Sequence, residues 1–78
     1  MNSTHDPRYQ RLIKEMVHAR HTAGLTQAQV TQTLRWRRTM LSQIETCQRR
    51  ADLLEVHALT KLYRVKFQTL EAILDERA

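Results

Sequence analysis

Residues 23–30 read Ala23-Gly24-Leu25-Thr26-Gln27-Ala28-Gln29-Val30, and the chain runs on through Leu34 to Leu41-Ser42-Gln43-Ile44-Glu45. Gly24 suits a helix end, because glycine enters the left-handed backbone region without the clash that a β-carbon brings. Thr26 follows where a hydroxyl can accept from the freed amides of a new helix. Ala28, Val30 and Leu34 give that helix a packing face over 27–34. Leu41 and Ile44 define a further helix over 38–45, out of phase with the first, so a break near Arg35-Trp36-Arg37 must separate the two.

Working upstream, Asp6 before Pro7 signals an N-cap and first turn, and Leu12, Ile13, Met16, Val17 and Ala19 recur at helical spacing, which predicts a helix over 7–23. Downstream, Cys47 to Ala51 is polar and basic, and Asp52 with Glu55 has the spacing of a capping box that opens a helix over 53–63. Val65 and Lys66 interrupt the pattern, and Phe67, Leu70, Ile73 and Leu74 mark a fifth helix. With one Gly and one Pro there is almost no hairpin chemistry, so the fold class is all-α, a compact five-helix domain. Residues 1–6 are expected to be a flexible N-terminus and 7–78 the domain, with a C-terminal helix in 66–78. The expected core is Leu12, Met16, Val30, Leu34, Leu41, Ile44, Leu53, Val56, Leu59, Tyr63 and Val65.

The 78 residues suffice for one domain with one modest core. A single cysteine, Cys47, rules out an intramolecular disulfide and a Cys-rich zinc site, and a cytoplasmic location is expected. No apolar run approaches the roughly 20 residues needed to cross a bilayer, and Met1 to Tyr9 lacks the apolar centre of a signal peptide. Residues 1–50 carry nine basic and three acidic groups, a net +6, whereas 51–78 carry four and five, a net −1. Such asymmetry suits one half facing a polyanion and another with a different task. His18 and His21 lie three apart without a third ligand, so no metal or cofactor is expected. Neither a Ser-His-Asp nor a Cys-His constellation, a Gly-rich phosphate loop or a carboxylate pair stands out, which argues against an enzyme.

Two short helices joined by three or four residues, the second bearing Arg, Thr and Gln, form the arrangement that reads the DNA major groove. Arg can bond guanine at two atoms, Gln can do so with adenine, and Thr can meet thymine. The sequence also resembles the Cro and lambda-repressor type helix-turn-helix proteins, the xenobiotic response element family, over roughly residues 9–70. The resemblance rests on Gly24-Leu25-Thr26-Gln27 opening helix 2, on Leu41-Ser42-Gln43-Ile44-Glu45 closing helix 3, and on Gln48-Arg49-Arg50-Ala51-Asp52-Leu53-Leu54-Glu55, all in fixed register.

That resemblance implies a lambda-repressor-like domain binding double-stranded DNA. It places Arg38, Thr39 and Gln43 at base edges, Arg37 between phosphate and base, and Met40 near a thymine methyl. Thr26, Gln27, Gln48, Arg49 and Arg50 are implied at phosphates, and Arg20 with Glu45 as a structural salt bridge. Family members usually carry Gly where Arg35 and Cys47 stand and Ala where Thr31 stands. Leu54, Ala58, Leu62, Phe67, Ile73 and Leu74 exceed what a small core needs and point to a partner interface. A homodimer reading two half-sites of a palindromic operator as a bacterial or phage repressor is the expectation. The alternative is an antitoxin-like interaction module that neutralises a toxin or other protein partner, with DNA binding secondary.

Overall fold

The computed structural model describes residues 3–76, and five α-helices account for most of them: α1 (Pro7–Thr22), α2 (Gln27–Leu34), α3 (Arg38–Glu45), α4 (Leu53–Tyr63) and α5 (Phe67–Asp75). Among the described residues there is no strand. Within the stretch 1–6 expected to be flexible, Ser3–His5 form one 310 turn, Thr4 is buried, and its carbonyl accepts from Gln10 Nε2 at 3.2 Å.

Each helix start has a local cause. Asp6 caps α1 by accepting from the Arg8 N–H at 2.8 Å, with Pro7 in the first turn. Capping boxes open α2 (Thr26 with Gln29) and α4 (Asp52 with Glu55). The ends share one device: Leu25, Trp36, Gln48 and Val65 each donate a backbone N–H five residues back, to Arg20, Thr31, Gln43 and Thr60. This wrap requires a left-handed residue before the donor, and the four are Gly24 (φ 73°), Arg35 (59°), Cys47 (58°) and Arg64 (60°). Turn geometry is therefore conserved in shape where glycine is missing, and strain is accepted at three sites.

α2 and α3 pack on each other, while α1 touches α3, α4 and α5. Leu41, Ile44, Leu59, Leu70 and Val30 are fully buried where these helices meet. Buried Thr31, standing where the resemblance leads one to expect a small residue, turns its hydroxyl back onto the Gln27 and Ala28 carbonyls at 3.1 and 3.2 Å, so this hydroxyl is satisfied. Trp36 packs partly against the core. Two expectations are corrected. Ala28, read as part of the α2 packing face, is exposed, because Val30 and Thr31 set the buried side of that helix. Leu53 is not core but 71 % exposed, because it lies at the first turn of α4, on the lining of an open groove. Ile13, Ala19, Ala51 and Leu70 complete the core instead.

Candidate nucleic-acid interface

Leu41 and Ile44 fix the rotation of α3, since both are about 1 % exposed. With that side turned inward, the 3.6-residue period brings Arg38, Thr39 and Gln43 to the solvent side, where all three are exposed. Arg37 precedes the helix in extended conformation and is also exposed. Met40 and Ser42 are half-buried, and Met40 packs against the edge of the core. Arg35, at the end of α2, joins Arg37 and Arg38 on the surface, and among the described residues none of the three has an ion-pair partner.

The stretch of chain that carries this surface is poor in acids. Between Met16 and Ala51 the only carboxylate is Glu45. Its side chain is 9 % exposed and fully engaged: Arg20 Nε donates to Oε2 at 2.7 Å, Arg20 Nη2 to Oε1 at 3.0 Å, and Gln27 Nε2 to Oε1 at 2.7 Å. Arg20 Nη1 also donates to the Leu25 carbonyl at 2.9 Å. The hydrogen bonds that Arg20 donates to Glu45 raise the Arg20 pKa. One carboxylate thus ties α1, the turn before α2, the first residue of α2 and the last of α3.

The Gln27 side chain, implied at phosphate, gives one Nε2 hydrogen to Glu45 and keeps a second, and beside it stand the first-turn backbone amides of α2, which have no carbonyl partner within the helix. The Thr26 hydroxyl accepts from the Gln29 N–H at 3.1 Å. In the α3–α4 loop, Gln48 and Arg50 are exposed, but Arg49 donates from Nη1 and Nη2 to Glu55 Oε1 and Oε2, both at 3.0 Å. Tyr9 Oη accepts from the Ala51 N–H at 2.9 Å and anchors the same loop to α1. Sequence reading missed the Gln27–Glu45, Arg49–Glu55 and Tyr9–Ala51 contacts, because no local spacing signals a bond between separate elements.

Burial pushes the Cys47 thiol above its ordinary value, which leaves it less thiolate. Of the residues implied at a partner interface, Leu54 is 78 % exposed, and Phe67 and Leu74 are also exposed. Ala58, Leu62 and Ile73 are half-buried, and the last two pack partly on the core. Leu53 joins the exposed set. Beside them an open groove of about 820 Å³ runs between α1, α4 and α5, lined by Leu12, Leu53, Val56, Phe67, Leu70 and Leu74 among others. No helix is long and apolar enough to cross a membrane, and among the described residues no group of three or more His, Cys, Asp or Glu could hold a metal ion.

A family model described as a helix-turn-helix domain matches residues 15–73, from within α1 into α5. No curated protein and no solved structure matches the chain.

Proposed function

Since the chain belongs to the helix-turn-helix domain family, a family whose partner is DNA, we propose that it is a sequence-specific transcriptional regulator of the Cro and lambda-repressor type, binding double-stranded DNA through α3 and acting as a repressor. The observation that carries this reading is the outer face of α3. Arg38, Thr39 and Gln43 stand exposed there, Arg37 and Arg35 flank them, and no acid between Met16 and Ala51 is free to repel a phosphate. Arg38, Thr39 and Gln43 read base edges, and Met40 touches a thymine methyl at the rim. Arg37, Thr26, the first-turn amides at Gln27, Gln48 and Arg50 hold the backbone. Positioning contacts of this kind supply affinity that falls with salt, while base contacts supply preference.

The domain, 7–78, works as a homodimer with α5 contributing to the contact. Exposed Leu53, Phe67 and Leu74 around one groove, with exposed Leu54 next to Leu53 in the chain, support this, as apolar surface of this kind on a small domain marks an interface. The same face would serve an antitoxin-like module holding a different protein, and the mass of the purified chain alone and with co-purified partners separates the two. For the DNA reading, fluorescence anisotropy on a panel of duplexes is the test. Arg38→Ala and Gln43→Ala should each lose about 1 to 3 kcal/mol of discrimination at one base pair. If both variants bind every duplex as tightly as the parent chain, α3 is not the reading helix.

A further inference from the structure

Arg49 lies beside the surface assigned to DNA, yet its guanidinium fork is already committed to Glu55 by two hydrogen bonds at 3.0 Å. Paired, planar contacts of this kind are the strong and directional form of an arginine–carboxylate bond. Glu55 is itself held: its side chain is 15 % exposed, and Oε1 accepts from the Asp52 N–H at 2.9 Å as half of the α4 capping box. The loop is fixed at three further points. The Gln48 and Arg49 N–H groups turn back onto the Gln43 carbonyl at 2.9 and 3.2 Å, and the Ala51 N–H is held by Tyr9. Within this frame Gln48 and Arg50 are exposed on either side of Arg49. The Arg49 side chain is 41 % exposed, and a phosphate approaching it would meet a charge offset by the neighbouring Glu55 carboxylate. The Arg49 pKa is raised and that of Glu55 lowered, in each case first by their shared hydrogen bonds.

We propose that Arg49 is a positioning residue and not a phosphate ligand: clamped on Glu55, it sets the α3–α4 loop so that Gln48 and Arg50 meet the DNA backbone. This inference rests on the DNA-binding reading above. The two roles predict opposite signs for Glu55. If Arg49 were a phosphate ligand, removing its carboxylate partner would free it and tighten binding; if it positions the loop, the same change weakens binding.

The experiment is a salt series of anisotropy titrations on a mixed-sequence DNA duplex with the parent chain, Arg49→Gln, Glu55→Gln and the double variant. Glutamine at 55 still completes a capping box, so α4 keeps its start, and thermal melts of each variant check the fold. Each single variant should bind about tenfold more weakly, and the double variant no worse than either, as partners in one contact couple fully. The slope of log affinity against log salt should stay at the parent value in all three, whereas Arg50→Gln should lower it by about 0.9, the loss of one phosphate contact. Tighter binding by Glu55→Gln, a slope lowered by Arg49→Gln, or parent-like affinity in either single variant overturns the proposal. If the parent binds the duplex at no salt concentration, the DNA-binding reading fails instead. Amide exchange at Gln48, Arg49 and Ala51 then decides the clamp by itself: faster exchange in both single variants supports it, and unchanged protection overturns it.

Discussion

Arg64 closes α4 at φ 60°, a conformation that costs a residue with a β-carbon roughly 1 to 2 kcal/mol and glycine almost nothing. Arg64→Gly should therefore raise stability by about 1 kcal/mol in a urea titration, after the entropy that glycine adds to the unfolded chain is subtracted. Arg35→Gly relieves the same strain but removes a cation from the α3 surface, so stability should rise while DNA affinity falls. Tyr63 poses the reverse problem. Its ring is core, but its hydroxyl is buried without a hydrogen-bond partner among the described residues. Burial first, and the Glu45 carboxylate second, push its pKa up. Deleting an unsatisfied buried hydroxyl removes a desolvation cost, so Tyr63→Phe should melt at or above the parent temperature; a clear drop would mean that the hydroxyl has a partner after all.

At the level of elements, three helices meet on Glu45. Arg20 brings α1, Gln27 brings α2, and Glu45 stands on the last turn of α3. Removing one partner strands a nearly buried charge, and Arg20→Ala should cost about 3 to 5 kcal/mol, read as a lower melting temperature; an unchanged melt would contradict the role. The Arg20–Glu45 pair was legible through family register, and the helix limits through caps and apolar period, since Asp6, Thr26 and Asp52 act on amides two or three residues away. Leu53 shows where such reading stops. It sits three residues before Val56, in phase with the inward stripe, but periodicity reports rotation about the axis and not whether another helix stands opposite. Arg49 shows the same limit in a polar residue: nothing in its basic surroundings in the sequence signals a bidentate pairing with Glu55, which only the fold brings within reach.

Across the whole molecule, charge and apolar surface are separated. The α2–α3 side is basic and free of exposed acids between Met16 and Ala51, while exposed Leu53, Phe67 and Leu74 line the groove between α1, α4 and α5 and exposed Leu54 follows Leu53 on α4. Such a division fits a dimer whose two basic sides address successive major grooves. Sedimentation equilibrium should return twice the chain mass, and Leu54→Ser with Phe67→Ser should shift it to the monomer without loss of helicity; a parent chain that is monomeric at every concentration would contradict the dimer. The most direct measurement of the central claim is selection from a pool of random DNA duplexes, with the parent chain and with the Arg38→Ala, Gln43→Ala double variant. The parent should enrich a palindrome whose half-sites lie about 10 base pairs apart, and the double variant should lose or change the half-site while still retaining DNA through backbone contacts. Enrichment of the same palindrome by both proteins, or of no sequence by the parent, would contradict the account.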